Sequence, residues 1–290
     1  MKLRGKTCLV TGANSGIGKI TAIELAKQKA RVVMLCRNEE KAEKARQEIY
    51  KVSGNTDIHI ILCDLSSQQQ IHDAADEYRR RFTSLDILIN NAGIIAGNER
   101  LETADGFELT FAVNHLAPFT LTLLLLDLLR HSEAGRIITV SSEAHRFARF
   151  DMEDLQLKHH PYSGLNAYCI SKLCNIWFTR QLAALTSRSK LSVNCLHPGF
   201  VASNFGNSAS AAFKALLILS QPFAISNEKG AATTLYLAGS EAPEHISGHY
   251  FKDKKIKKPS KAALNDAYAE ELWEKSAALT RLELHKVSLS

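Results

Sequence analysis

A tyrosine and a lysine stand four positions apart in the stretch AYCISK, at Tyr168 and Lys172. On a helix, residues i and i+4 share a face, so the phenol and the ammonium can reach one bound molecule together. A phenol beside a cation can exchange a proton with a substrate. Short patterns recur by chance, and the alternative is an exposed pair on an ordinary helix. The elements that position the pair decide between the two interpretations.

Short apolar runs recur along the chain with the length of strands buried on both faces. They are TCLV, RVVMLC, IHIILC, LDILI, GRIITV and LSVNCL. Helical patterns lie between them, as in EEKAEKARQEIYKV, whose apolar residues are three or four apart and which Gly54 follows where a helix would end. This alternation predicts an α/β fold, a single-domain Rossmann-type doubly wound parallel sheet with helices on both faces.

The composition describes a globular chain with a moderate positive charge. Its 290 residues are 45% hydrophobic, enough for a sizeable core, and its formal net charge is +6. Five lysines fall within seven positions at 252–258, where they can contact phosphate or an anionic membrane, or form a solvated strand end and turn. Aromatic residues are not interleaved with the basic ones, so no nucleic-acid partner is predicted.

The cysteine pattern and the apolar runs bear on location. Most of the six cysteines lie inside apolar runs without CxxC spacing, so we expect reduced, buried thiols. MKLRGK leads directly into a strand pattern and leaves no room for the apolar stretch of a signal peptide. The run at 121–129 is too short to span a membrane, and we expect a buried or interface helix. A cytoplasmic location is predicted, with peripheral contact to a membrane surface left open.

The first candidate binding element is the glycine-rich stretch TGANSGIGK. In doubly wound folds, ligands bind outside the carboxyl ends of the strands, and this stretch directly follows the first one. Gly12, Gly16 and Gly18 precede a helical pattern, so backbone amides can approach a phosphate at the positive end of a helix. A simple tight strand-to-helix turn is the alternative.

The end of the second strand bears on the choice of cofactor. NAD-type sites usually place Asp or Glu there, whereas this strand ends in Cys36 followed by Arg37 and Asn38. A guanidinium can bind a 2′-phosphate with two hydrogen bonds. The sequence therefore predicts NADP(H), with a surface arginine as the alternative.

Further polar residues follow the later strands. Asp64 comes after the third strand and NNAG, at 90–93, after the fourth, although both can also serve in turns. Asn114 lies inside an apolar helical pattern, where an amide is costly unless it is hydrogen-bonded. Ser142 follows the fifth strand, and HPGFVAS, at 197–203, follows the sixth. No metal site is predicted.

The chain resembles the short-chain dehydrogenase/reductase family over essentially its whole length. The resemblance rests on TGANSGIG, NNAG, Asn114, VSS, YCISK and HPGFVAS, in the family's order and near its spacing. Within the family, ANSGIGK, CRN, VSSEAH and AYCISKLCNIWFTRQLA are similar to the retinol-dehydrogenase-like branch. Ser203 departs from the commoner threonine but preserves the hydroxyl.

The resemblance implies a role for each catalytic residue. Tyr168 is expected to be the general acid/base and Lys172 its partner, with Lys172 and an oxidised nicotinamide favouring the phenolate. Ser142 is expected to orient the carbonyl, and Asn114 to hold a proton-relay water. His115 and His145 adjoin the motifs, and we expect packing or loop roles for them, with substrate contact as the alternative.

The resemblance also implies a set of cofactor-binding residues from every strand end. Together with Tyr168 and Lys172, these are Gly12, Asn14, Ser15, Gly16, Ile17, Gly18, Arg37, Asn38, Asp64, Leu65, Asn91, Ala92, Gly93, Pro198, Gly199, Val201 and Ser203.

The expected activity is an NADP(H)-dependent oxidoreductase that interconverts a hydrophobic aldehyde or ketone, retinoid-like or steroid-like, with its alcohol. One NADP(H)-binding domain is expected over 1–290, with a substrate lid at about 200–226 and a helical tail at about 260–290. The apolar core of that lid, at 208–224, suits a lipophilic substrate and can also rest on a membrane.

Two other functions and one assembly remain open at this point. The alternatives are an NAD-dependent alcohol or sterol dehydrogenase and a non-catalytic sensor of nicotinamide redox state. By family resemblance, the apolar helices around 116–129 and 167–185 pair with their copies in a homodimer.

Overall fold

The computed structural model describes residues 3–200, 225–239 and 246–283. Val201, Ser203 and nearly all of the predicted lid lie outside the described residues. The predicted tail is described as far as residue 283.

Within these residues, one eight-stranded sheet forms the centre of the fold, in the order β3-β2-β1-β4-β5-β6-β7-β8. Every pairing is parallel except that of β7 with β8, which is antiparallel. The strands are β1 (Thr7–Thr11), β2 (Arg31–Cys36), β3 (Ile58–Leu62), β4 (Ile87–Asn90), β5 (Arg136–Val140), β6 (Ser192–His197), β7 (Tyr250–Lys252) and β8 (Lys255–Ile256). The predicted α/β fold is confirmed, and its six apolar runs are β1 to β6.

The helices lie between the strands, as the alternation predicts. They are α1 (Gly16–Lys27), α2 (Glu39–Ser53), α3 (Gln68–Arg81), α4 (Leu109–Phe111), α5 (Ala117–Leu124), α6 (Leu126–His131), α7 (Gly164–Leu185), α8 (Asn227–Ala238) and α9 (Asp266–Thr280). A π-helical segment, Ala112–Leu116, joins α4 to α5, and short 3₁₀ turns cover Glu143–Phe147, Met152–Asp154 and Ala262–Leu264. Helix α2 ends at Gly54, which adopts φ 62°, as expected for a glycine cap.

Two apolar cores, one on each face of the sheet, hold these layers together. Leu9, Val33 and Leu88 point to the face covered by α3, α5, α7 and α9. The alternate residues Val10 and Met34 point to the face covered by α1, α2 and α8. Successive strand residues therefore supply both cores, which is why the runs are continuously apolar.

The apolar run at 121–129 is buried but does not form one helix. The chain breaks at Leu125 (φ −112°, ψ 8°), between α5 and α6, while Leu121, Leu125 and Leu129 remain in the core. Asp127 is on the exposed side and pairs with Arg79 at 2.5 Å. The sequence offers no Gly or Pro at this break, so the uninterrupted apolar pattern predicts one helix where there are two.

Helix α9 covers α5 and α7. The Trp273 ring lies 5.0 Å from that of Phe119 and 6.1 Å from that of Phe178, centre to centre. Trp273 is only 5% exposed, so these helices bury their apolar faces within one chain. A homodimer through the same faces would require α9 to move away. The predicted homodimer therefore stays a prediction, and its proposed interface competes with an intramolecular one.

Among the described residues, no helix is long and apolar enough to cross a membrane. All six cysteines are buried and free, as expected. The cytoplasmic location stays a prediction.

Candidate active site

The loop from β1 to α1 lies at the point where strand order reverses, with β2 on one side of β1 and β4 on the other. Gly12 and Gly16 have φ of 67° and 53°, which glycine adopts at little cost. Ser15 precedes α1 but makes no side-chain cap, and no acidic residue stands in the first turn. The amides at this end of α1 therefore face the crevice without a side-chain partner, an arrangement that suits an anion.

The bare backbone around this loop fits a dinucleotide. A Cβ on Gly12 would lie 3.2 Å from the Cα of Ala92. A Cβ on Gly18 would overlap the Gly12 carbonyl and lie 2.5 Å from Nδ2 of Asn91. Side chains at these positions would collide with the neighbouring backbone, so glycine lets the loop, α1 and the segment after β4 pack closely, as in dinucleotide-binding folds. Asn14 and Ile17 lie in the same loop and first turn.

Thr11 connects the glycine-rich loop to the segment after β4. Its hydroxyl accepts hydrogen bonds from the backbone nitrogens of Asn91 and Ala92, both at 2.9 Å, and Asn91 Nδ2 donates to its carbonyl at 2.8 Å. The two predicted cofactor-binding segments are thus locked together. Thr11 was not predicted as a site residue, although its place directly before the first glycine of TGANSGIGK was the available signal.

Arg37 is placed as its prediction requires, at the carboxyl end of β2. Its side chain is 76% exposed and lies 3.7 Å from Oδ2 of Asp64. Asn38 caps α2, its Oδ1 accepting from Lys41 N at 2.8 Å. Asp64 shapes the turn before α3, where Oδ1 accepts from the backbone nitrogen and hydroxyl of Ser66 at 2.9 and 2.7 Å. The turn interpretation of Asp64 is therefore correct for one of its oxygens, and Leu65 follows it in that turn.

Tyr168 and Lys172 lie on one face of α7, in the helix that the i, i+4 spacing requires. The Lys172 ammonium is 5.5 Å from the centre of the Tyr168 ring and donates to the Val140 carbonyl at 3.0 Å. Gly93 leaves room for it, since a Cβ there would be 3.2 Å from Nζ. Lys172 is 2% exposed, so the alternative of an exposed surface pair is wrong.

Burial governs the protonation of this pair. It raises the pKa of Tyr168 to about 12, while the hydrogen bond with Ser142 acts in the lowering direction. It lowers the pKa of Lys172 to about 8. The expected preference for phenolate is thus not a property of the protein groups alone, because desolvation outweighs the hydrogen bond from Ser142.

Ser142 directly follows β5 and begins a 3₁₀ turn, Glu143–Phe147. Its Oγ accepts from Ala144 N at 3.2 Å. The hydroxyl also makes a hydrogen bond with the Tyr168 phenol, so the two side chains meet at one point of the site. Ser141 beside it faces inward and donates to the Lys172 carbonyl at 2.7 Å, which ties this turn to α7.

Asn114 lies in the π-helical segment and is fully buried. Its Oδ1 accepts from Ile94 N at 2.8 Å, and its Nδ2 donates to Ile94 O at 2.9 Å and to Ser171 Oγ at 3.0 Å. The amide therefore fixes the segment after β4 against α7. A relay water would have to use the second lone pair of Oδ1.

Both histidines near the motifs have protein partners. His115 Nε2 lies 2.8 Å from Ser276 Oγ, and burial lowers the pKa of His115 to about 3. His145 is 1% exposed and bonded within its turn. The packing interpretation accounts for both.

The segment after β6 leads into the undescribed residues. Gly199, after Pro198, adopts φ 98°, where a Cβ would collide with the Ile225 side chain. Ile225 N donates to Phe200 O at 2.7 Å, so the two described residues on either side of 201–224 are in direct contact.

Comparison with known proteins identifies the class. The short chain dehydrogenase family model matches residues 6–213. The chain belongs to this family, whose members are oxidoreductases that bind a nicotinamide cofactor.

Within the family, the chain is most usefully compared with proteins named retinol dehydrogenases and with solved short chain dehydrogenases. The chain is 39% identical to retinol dehydrogenase 14 of Mus musculus, over 96% of this chain and 86% of that protein. A solved structure from Mycobacterium paratuberculosis has a TM-score of 0.78 and 32% identity, and covers 97% of this chain and 95% of its own. A short chain dehydrogenase from Escherichia coli, solved with NADPH, has a TM-score of 0.69 and 25% identity, with coverages of 86% and 96%. The predicted resemblance to the retinol-dehydrogenase-like branch is confirmed.

Replacing Lys172 by methionine is expected to stabilise the protein while abolishing turnover. The folded-state pKa of about 8 lies below the ordinary 10.5, so the unfolded chain binds more protons between these values. The destabilising effect of the buried ammonium is therefore complete below pH 8 and disappears as pH rises towards 10.5. At 1.36 kcal/mol per pKa unit, Lys172→Met should raise the free energy of unfolding by about 3 kcal/mol at pH 7.

Urea unfolding at pH 7 and pH 10 measures this difference. The gain should be large at pH 7 and small at pH 10. Lys44→Met, on the exposed side of α2, is the matched control and should show no such pH dependence. A Lys172→Met variant that is less stable than the parent at pH 7 would contradict the argument.

Proposed function

We propose that the protein is an NADP(H)-dependent oxidoreductase that interconverts a lipophilic aldehyde or ketone and its alcohol. The observation that carries this proposal is the meeting of Tyr168, Lys172 and Ser142 beside the open glycine cradle, at one edge of the sheet. The carboxyl ends of the strands would therefore offer both a place for the cofactor and a proton donor. The predicted site residues are proposed in the roles that the family resemblance implies.

In the reductive direction, the chemistry that NADPH would supply when held by these residues is the hydride that reduces the carbonyl carbon. Tyr168, a neutral phenol at pH 7, donates its proton to the carbonyl oxygen. Ser142 donates a hydrogen bond to the same oxygen as negative charge develops there. Lys172 stabilises the phenolate that remains and would hydrogen-bond the nicotinamide ribose.

The remaining predicted residues would hold the cofactor. Gly12, Ser15 and Gly18 belong to the pyrophosphate cradle, while Arg37 and Asn38 would hold the 2′-phosphate. Asn38 has only its Nδ2 available, because its Oδ1 caps α2. Asn114 fixes the segment that carries Gly93, and a proton-relay water near it stays a prediction.

A lipophilic substrate is proposed from two observations. The sequence at 208–224 is apolar with one lysine, and the relatives in this branch are named retinol dehydrogenases. A retinoid or another bulky hydrophobic carbonyl fits both. The alternatives are an NAD-dependent alcohol or sterol dehydrogenase and a sensor without turnover. The absence of a carboxylate at Cys36 argues against the first, and the complete Tyr-Lys-Ser set argues against the second.

Tyr168→Phe is expected to abolish turnover. Purified protein should oxidise NADPH in the presence of retinal or other apolar aldehydes and ketones, because the phenol supplies the proton for each turnover. The phenylalanine variant keeps the ring but lacks that proton, so its kcat should fall at least about 10³-fold. Fluorescence titration with NADPH controls for cofactor binding. Full activity of Tyr168→Phe would overturn the mechanism, and NADPH binding without turnover by the parent would favour the sensor.

Arg37→Ala is expected to weaken the binding of NADPH but not that of NADH. A charge-assisted hydrogen bond is worth about 1.5–3 kcal/mol, so KM for NADPH should rise about 10- to 100-fold while KM for NADH stays within about twofold. Arg188→Ala, in an exposed turn after α7, is the control and should leave both unchanged. Equal increases for the two cofactors, or a parent that prefers NADH, would contradict the assignment of NADP(H).

Peripheral membrane contact is proposed at a basic surface beside the catalytic-serine turn. Five lysines at 252–258 lie at the end of β7, in the turn, in β8 and directly after it, and Ile256 among them is 47% exposed. Arg146 Nη2 donates to the Lys258 carbonyl at 2.7 Å, which brings Phe147, 75% exposed, to the same surface. A cleft of about 350 Å³ there is lined by Glu143, Arg146, Lys252, Asp253, Lys257 and Lys258. Exposed apolar residues among lysines suit an anionic lipid surface.

Reversing three of these charges should release the protein from anionic vesicles. Each lysine near such a surface contributes about 1 kcal/mol, so Lys255→Glu/Lys257→Glu/Lys258→Glu should weaken sedimentation with phosphatidylserine-containing vesicles at least about 100-fold. Pure phosphatidylcholine vesicles should bind little. The triple variant Lys44→Glu/Lys51→Glu/Lys190→Glu makes the same change in net charge at other exposed positions and should bind as the parent does. Failure of the parent to bind anionic vesicles would refute the proposal.

A further inference from the structure

The turn that carries Ser142 is closed by the backbone nitrogen of His145, which donates to Ser142 O at 3.1 Å, and is reinforced by the imidazole of the same residue. His145 Nδ1 lies 2.6 Å from the carbonyl oxygen of Ser142, and Nε2 lies 3.0 Å from the backbone nitrogen of Ser260. Its ring packs edge-on against Tyr250, with centres 5.1 Å apart. The imidazole therefore connects the serine turn to the backbone beyond β8.

These two partners fix which nitrogen carries the proton. A carbonyl oxygen only accepts, so Nδ1 must donate to Ser142. A backbone N–H only donates, so Nε2 must present its lone pair to Ser260. Only the neutral ring with its proton on Nδ1 satisfies both contacts, and burial lowers the pKa of His145 in agreement with this state.

The rest of the turn is fixed to the neighbouring strands. Glu143 N donates to Nδ1 of His197, at the end of β6, at 3.3 Å. The Glu143 carboxylate accepts from the Tyr250 hydroxyl at 2.6 Å and from Arg146 Nε at 3.2 Å. With Glu143 and its neighbours held in this way, the His145 imidazole provides the side-chain contact to the Ser142 carbonyl, beside the backbone bond that closes the turn.

We propose that His145 is a positioning residue for Ser142, which holds the serine carbonyl so that the hydroxyl beside it points at the substrate oxygen. This inference rests on the proposed function, because it acts through the catalytic role of Ser142. In this proposal the segment after β8 also contributes to the active site, because its Ser260 backbone nitrogen orients the imidazole.

A double-mutant cycle separates positioning from a general structural effect. His145→Phe should lower kcat about tenfold and leave KM for NADPH unchanged, because misplacing a catalytic donor affects the transition state more than cofactor binding. In the Ser142→Ala background, the same substitution should cause no further loss in kcat. Losses that multiply in the double variant would overturn the proposal.

His115→Phe is the matched control. It removes a buried imidazole that is bonded to Ser276 on α9, and its effect on kcat should multiply with that of Ser142→Ala. If Ser142→Ala alone leaves kcat unchanged, the proposed function fails at that residue and the inference fails with it. If Ser142→Ala lowers kcat but the His145 effect is independent of it, the inference alone fails.

Two conservative variants test the assigned contacts without removing the polar group. In His145→Asn the amide nitrogen can replace Nδ1 and keep the bond to Ser142, whereas in His145→Gln the amide oxygen can replace Nε2 and keep only the bond to Ser260. The proposal expects His145→Asn to retain more of the parental kcat. Equal values, or a higher kcat for His145→Gln, would overturn it even where His145→Phe does not fold.

Discussion

The candidate site depends on one buried ammonium ion. Lys172 is removed from water and donates to a carbonyl at the end of β5, so β5, α7 and the segment after β4 must meet where it lies. Gly93 has no side chain at the point of contact, and Asn114 fixes the adjoining backbone. A buried charge is unfavourable for folding, and its retention here agrees with a role in chemistry rather than in stability.

Burial shifts the pKa values of Tyr168 and Lys172 in opposite directions, so in the proposed mechanism both the protein and the cofactor determine the protonation state of Tyr168. Desolvation leaves the phenol protonated and makes the ammonium easier to deprotonate. The protein groups are thus prepared to donate a proton. Tuning towards the phenolate would need the positive charge of an oxidised nicotinamide, so proton transfer and the redox state of the cofactor are linked.

The fold was largely predictable from the sequence because six strands are buried on both faces and leave continuous apolar runs. The strand end and turn offered as one interpretation of 252–258 are present at the end of β7, but β8 was not predicted, since a two-residue exposed strand of Lys255 and Ile256 has no such pattern. The break at Leu125 and the π-helical segment were also missed, because nothing in the local residue types marks either one.

The placement of Arg37, Ser142 and the glycines at the ends of strands was predictable, because each follows an apolar run. The structural roles that some of the candidate residues also have were not predictable. Asn38 caps a helix and Asp64 closes a turn, and these contacts depend on geometry that one sequence does not encode locally. The pKa direction of Tyr168 was missed for a related reason, because burial is a property of the assembled fold.

The packing of α9 has a consequence for biosynthesis. Phe119 and Phe178 are covered by Trp273, which leaves the ribosome long after both of them. Until then the nascent chain presents an apolar groove across its catalytic helix, and this surface is the natural target for chaperones and for aggregation. A truncation before α9 would likewise leave a nearly complete Rossmann sheet with one apolar face exposed to solvent.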